Sequence, residues 1–271
     1  MSDSDKEETA KKNPAAEEPA PDRSSADIGI VCTHKGEVRA FLKRLDRQRT
    51  YTDKSFNVRG GFLRELTRLA IIEAGEGFAS HRAATELLLA AHRPKWVISM
   101  GFSSSLSEDV RAGDIVIANE ICDTHGNCLP VKCTIPARKR IHVGKLIVAD
   151  EHPITPDDKR SLRERFPELA ADTGSLAVAQ VCQEHSVRFL AIRVAVDTLD
   201  EEIPEQAASM MFHPTSRALG SALGTLFKGL RKMSEMNRWR ERNNVAASNL
   251  DRFVTGIVEQ IADSIEQQKY G

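Results

Sequence analysis

Asp197 stands at the end of an apolar run, Phe189-Leu-Ala-Ile-Arg-Val-Ala-Val196. The pattern predicts a buried strand there, with its carboxyl end presenting the aspartate where α/β sheets place ligands. Partial burial would raise the pKa of such a group and suit it to donate a proton; capping the next turn is the competing role. A second acidic position follows another apolar run, Asp27-Ile-Gly-Ile-Val-Cys32. Here Thr33-His-Lys-Gly-Glu37 offers a cation at Lys35 and a carboxylate at Glu37. A carboxylate at a helix start is favoured by the helix dipole whatever else it does. Gly101-Phe-Ser-Ser-Ser105 forms a third candidate. Gly101 permits close backbone approach, and Ser103 and its two neighbours either bind a polar ligand with their hydroxyls or fill the space. Asp172-Thr-Gly-Ser175 is the fourth, where Ser175 is a good helix N-cap.

Other patterns carry less. Cys122, His125, Cys128 and Cys133 offer zinc-type ligands, but the spacing departs from the usual paired Cys-x2–4-Cys sites, and no metal is expected. Gly75-Glu-Gly77 lacks the third glycine of a dinucleotide fingerprint. Ser99 to Ser105 contains no Gly-x-Ser-x-Gly elbow. The basic stretch Lys228 to Arg242 reads as a solvated amphipathic helix or one that covers a neighbouring subunit.

The elements that must hold these residues are read from periodicity. Strands are expected at 27–32, 56–58, 69–73, 96–100, 115–118, 146–148 and 188–195, with Gly101 stopping the fourth. Helices are expected around Val38–Leu45, Ala83–Ala91, Pro156–Arg165, Ser175–Glu184 and 246–267. Their alternation predicts an α/β fold of three layers, a mostly parallel or mixed central sheet with helices on both faces. Residues 1–26, rich in Ser, Asp, Glu, Lys, Ala and Pro, are expected to be a disordered tail, and 27–271 one domain with a helical insertion at about 204–242.

Composition bounds the function. Of 271 residues, 41% are hydrophobic, enough for a sizeable core, and 38 Lys and Arg balance 39 Asp and Glu. That balance gives no reason to expect nucleic acid or a membrane surface as partner. No apolar run approaches the roughly 20 residues that span a bilayer. The start of the sequence lacks a secretory pattern, and five cysteines are an odd number. Free thiols in a cytoplasmic protein are the expectation.

Four segments together resemble the nucleoside phosphorylase superfamily, most closely its methylthioadenosine/S-adenosylhomocysteine nucleosidase branch. They are Ile28–Val38, Gly75–Gly77 with Ala83-Ala84, Val97–Leu106 continuing through Val110–Ala118, and Asp172–Cys182 with Arg193–Asp197. The resemblance implies N-glycosidic cleavage of a purine nucleoside, with no cofactor, water or phosphate as second reactant, and a homo-oligomer. Such cleavage needs an acid at the departing base and a base or anion on the water side of the sugar. Asp197 matches the family's base-protonating aspartate, with Val196 where serine is usual. The first-loop glutamate position aligns with Lys35, which either holds an anion or marks a site that no longer hydrolyses. Glu37, two residues on, matches another acidic position of that loop. The ribose-binding glutamate aligns with Gly174 and the sugar-packing methionine with Thr173, leaving Asp172 and Ser175 to compensate. Gly101, Phe102 and Ser103 fall in the loop that lines the sugar. The alternative reading is a catalytically impaired module that binds nucleosides and keeps the fold.

Overall fold

The computed structural model describes residues 20–204, 207, 208 and 230–270. In chain order the elements are β1 (Ile28–Cys32), α1 (Lys35–Leu42), β2 (Asp46–Asp53), β3 (Phe56–Leu63), β4 (Thr67–Glu73), α2 (Gly77–His92), β5 (Trp96–Ser105), β6 (Ile115–Asp123), β7 (Cys128–Pro130), β8 (Ile141–Val148), α3 (Pro156–Arg165), β9 (Ala170–Asp172), α4 (Ser175–Glu184), β10 (Arg188–Ala195) and α5 (Leu230–Tyr270). The three-layer α/β arrangement expected from the sequence is the one found.

One mixed sheet carries the molecule. Strands run β2-β3-β4-β1-β5 across it, and β5 also pairs with β10. From β10 the ladder continues through β6, β8 and β9, and β9 returns to pair with β5. Five strands thus close on themselves around one side of β5. The β1, β4, β5 and β10 ladders are parallel, as buried strands joined by helical crossovers should be.

Side-chain alternation divides the core. Ile28, Ile30 and Cys32 of β1 pack with Ile98 and Met100 of β5 beneath α1 and α5. Val31 and Val97 face the other way, against Leu88 of α2 and Val178 and Val181 of α4. Gly29 lets α2 come close, since a Cβ there would lie 2.8 Å from Leu88 Cδ2.

Several expectations need correction. Gly101 does not stop β5, which runs on to Ser105. Residues 20–26 are docked rather than loose: Asp22 pairs with Arg68 at 2.5 Å, Tyr51 Oη donates to Asp22 O, and Ala26 N donates to His92 O. Specific polar contacts hold this stretch where apolar burial could not; residues 1–19 lie outside the described residues. The final helix begins by Leu230, not near 246. Of the expected 204–242 insertion, residues 205, 206 and 209–229 lie outside the described residues. The cysteines are not all free. Antiparallel register sets Cys122 of β6 opposite Cys128 of β7, and the two form a disulfide, leaving Cys32, Cys133 and Cys182 as thiols. Two of the four zinc-type ligands, Cys122 and Cys128, are thereby bonded to each other, and no helix among the described residues is long and apolar enough to cross a membrane.

Candidate active site

The site is built where β5 outlasts its neighbours. β1 pairs with β5 only as far as Val31 opposite Ser99, and β10 only to Ala195 opposite Ser103. Backbone N–H groups beyond those points need other acceptors. Two carboxylates supply them. Glu37 Oε1 accepts from Phe102 N at 2.9 Å, and Asp197 Oδ1 accepts from Ser105 N at 2.7 Å. Donors an odd number of residues apart leave opposite edges of a strand, so the carboxylates flank β5, anchored about 10 Å apart along it at roughly 3.3 Å per residue.

Glu37 sits in the first turn of α1, buried, with Oε2 also accepting from Thr33 N at 2.7 Å. Gly101 makes room for it: a Cβ at position 101 would lie 2.6 Å from Glu37 Oε1. The close approach that this glycine permits is therefore made by the chain's own carboxylate. Lys35, in contrast, is exposed at the start of α1.

Asp197 is wholly buried, and burial pushes its pKa up to about 6, with Lys159 and the Ser105 N–H restraining the rise. Lys159 of α3 is equally buried. Its Nζ lies 2.5 Å from Asp197 Oδ2, off the axis of an aligned hydrogen bond, and donates to Thr198 O and Glu201 O. The aspartate thus has one oxygen fixed by backbone and the other held only by charge.

Ser103, Ser104 and Ser105 of β5 are fully buried. Ser104 Oγ donates to Pro153 O, and Ser105 Oγ is within 3.0 Å of both Ser107 O and Val110 O. Ser103 Oγ has no hydrogen-bond partner among the described residues. Phe102, nearly buried, meets the His34 ring edge-on at 5.9 Å between centroids.

Asp172 is engaged on every side. Arg193 Nε lies 2.5 Å from its Oδ2, while its Oδ1 accepts from Gly174 N, Ser175 N and Ser175 Oγ. Burial opposes its charge, but Arg193 and the Ser175 bonds outweigh it and hold the carboxyl below its usual range. The expected cap changes hands accordingly: Gly174 is the N-cap residue of α4, Ser175 is its first helical residue, and Asp172 satisfies the free N–H groups. Thr173 is buried beside them.

Gly174 has a neighbour that sequence reasoning missed. A Cβ there would lie 2.4 Å from His81 Cγ and 2.5 Å from both Cδ2 and Cε1. The imidazole of α2 therefore fills the space a side chain at 174 would use. His81 Nδ1 is 3.0 Å from Gly77 O, and burial lowers its pKa. A carbonyl only accepts, so Nδ1 carries the proton and the neutral ring keeps Nε2 as an acceptor. Lys159 was missed too. Its one signal in the sequence is a place three residues before Leu162, on the inward side of a helix otherwise polar.

On the Glu37 edge, a cavity of about 590 Å³ opens between α1 and α5, bounded by Gly36, His34, Phe102, Trp239 and Ala207.

Residues 27–152 match the family described as the Phosphorylase superfamily. The match spans just under half of the chain, and with the fold it makes the chain similar to the nucleoside phosphorylase superfamily. Within it, the chain is similar to the 5'-methylthioadenosine/S-adenosylhomocysteine nucleosidase of Bacillus cereus (strain B4264), 24% identical over 203 residues that cover 65% of this chain and 87% of the relative. The corresponding nucleosidase of Bacillus thuringiensis (strain Al Hakam) is 25% identical over the same coverage. Among solved structures, the nucleosidase of Neisseria meningitidis in complex with methylthio-immucillin-A shares the fold at a TM-score of 0.64 and 17% identity, covering 88% of this chain and 99% of that one. The futalosine hydrolase of Helicobacter pylori does so at 0.62 and 15%, covering 86% and 97%.

Proposed function

We propose that this chain cleaves the N-glycosidic bond of a purine nucleoside. The observation that carries this reading is the pair of buried carboxylates anchored on opposite edges of the β5 overrun. Bond breaking leaves positive charge on the ribose and negative charge on the departing base. Asp197, its acid form favoured by burial, donates a proton to the base. Glu37 stands on the sugar side, stabilises the cationic ribose and takes a proton from the attacking water, whose oxygen bonds to C1′ as the C1′–N bond breaks. Glycosidases that interpose water between two carboxyls separate them by about 6.5–9.5 Å, a separation of the same order as the spacing of the two anchors. Relatives named as nucleosidases and a neighbour named as a futalosine hydrolase support the same reaction.

In this reading Phe102 and Ser103 line the sugar, His81 Nε2 takes the acceptor's part that Gly174 lacks, and Asp172 and Ser175 hold the α4 start in place. Lys35 has no part in the chemistry. No cofactor enters; water or phosphate is the second reactant. The reading includes a homo-oligomer, supported by the exposed apolar side chains Leu66, Phe78 and Val245, and a cytoplasmic location; sedimentation velocity of the purified chain tests the first. One observation favours a second reading, a binding module that has lost catalysis: Lys159 occupies the approach to Asp197 Oδ2.

A panel of purine nucleosides, incubated with and without phosphate and assayed chromatographically for free base, decides between them. Release of base that falls by about 10²–10⁴-fold in Asp197→Asn, the usual worth of a general acid, supports catalysis, as does a comparable loss in Glu37→Gln. Binding without any base release supports the second reading.

A further inference from the structure

We infer that the cavity between α1 and α5 receives a phosphoryl group, so that the substrate is a nucleoside 5′-phosphate rather than a free nucleoside. The inference rests on the proposed cleavage reaction for its chemistry but on separate residues for its recognition.

The cavity begins where the carboxylate site ends. Gly36 precedes Glu37, and Phe102 holds Glu37 through its N–H; both line the cavity wall. Asp197 lies across β5, on the other edge. A nucleoside with its base at Asp197 and its C1′ near Glu37 would meet this cavity beyond the Glu37 edge, between the two helices.

That space is cationic. Arg39 and Lys43, one turn apart on and just after α1, line one wall, and Arg240 of α5 lines the other; among the described residues no Asp or Glu lines it. Cations nearby are neutralised: Arg44 forms a two-pronged pair with Asp251, and Arg242 pairs with Glu201. Among the described residues, Arg39, Lys43 and Arg240 are in no ion pair. Two guanidinium forks and an ammonium facing each other suit phosphate oxygens, which arginine binds in pairs. Asn244 and Ser248 complete a polar rim. A volume of about 590 Å³ is within the usual range of small-molecule pockets. Free phosphate has the same chemistry, so the test must separate phosphate attached to the substrate from phosphate acting as nucleophile.

The full chain is assayed for base release from adenosine, AMP and ATP, and from inosine and IMP, each with and without inorganic phosphate. Equilibrium dialysis measures binding of ATP and adenosine in parallel. The expected result is a kcat/KM at least tenfold higher for the phosphorylated member of a pair. In Arg39→Ala/Lys43→Ala that selectivity ratio should fall at least tenfold, through KM rather than kcat, with the fold checked by circular dichroism. Arg240→Ala, on the opposite wall, is the independent second variant. Equal efficiency with nucleoside and nucleotide overturns the inference. So does nucleoside cleavage that depends on inorganic phosphate and is lost in these variants, which would give the cavity to the free anion. Should no base appear from any compound, the cleavage reading fails, and dialysis alone decides the cavity. ATP bound at least tenfold more tightly than adenosine, and only until the cations are removed, upholds it; equal binding refutes it.

Discussion

Asp197 shows how much one carboxyl's behaviour depends on its surroundings. Its acid form is favoured because both oxygens are out of water, and its ionised form because Lys159 stands 2.5 Å away. The balance leaves a pKa of about 6. A general acid must be protonated, so base release should fall as pH rises through about 6 and approach a tenfold loss per unit above it. Replacing Lys159 by Met removes the nearest cation and leaves burial opposed chiefly by the Ser105 N–H. The alkaline limb of kcat should then move to higher pH, in the same direction for every nucleoside tested. Breaking one half of a buried pair also costs about 3–5 kcal/mol where the remaining charge stays uncompensated; here Asp197 can take up a proton, so the loss of Tm should be smaller at pH 5 than at pH 8. A pH profile that Lys159→Met leaves in place would remove the lysine from any role in tuning this group. Asp197 and Glu37 were legible because each follows an apolar strand. Lys159 was not, since burying a lysine needs a partner from another element, and nothing local in Pro156–Arg165 announces one.

At the scale of elements, the contact that most shapes the site is α2 against the start of α4. His81 lies where the Cβ of residue 174 would be, so the two positions must be read together. Gly174 has φ −145°, open to any residue, and the constraint on it is therefore space alone. Gly174→Ala should destabilise by about 1–3 kcal/mol, as overpacking does, and His81→Ala should relieve most of that cost in the double variant. Denaturant unfolding of the four proteins gives the coupling; additive effects would show that the ring does not hold that space. The same scale explains which elements the sequence revealed. Buried strands such as β1, β5 and β10 are apolar throughout and stand out. β2 reads Asp-Arg-Gln-Arg-Thr-Tyr-Thr-Asp and is mostly exposed at the sheet edge, so no alternation marked it. β7 and β9, three residues each, exist because neighbours offer them ladder partners. Ser103–Ser105 looked like a loop because serine favours turns, yet the closed ring of strands keeps all three in β5.

For the whole molecule, near-neutral net charge conceals an uneven distribution. The first 22 residues carry seven acids against three lysines, so the remainder is net positive, and three of its uncompensated cations surround one cavity. A composition of 38 basic and 39 acidic residues gave no hint of this, because Arg39, Lys43 and Arg240 come together only when α5 folds back onto α1. Charge gathered at a cavity mouth acts on a ligand through solvent and is screened by salt over a Debye length of about 8–10 Å at 0.1–0.15 M. The acid at Asp197 is enclosed by protein and should feel the same ions far less. Raising salt from about 0.02 to 0.5 M should therefore raise KM for a nucleotide several-fold while kcat changes little, and KM for the matching nucleoside should stay within about twofold. Steady-state kinetics with AMP and adenosine across that range measure both. If KM rose equally for the two substrates, salt would be acting on the protein as a whole, and the cationic walls would have no special claim on phosphate.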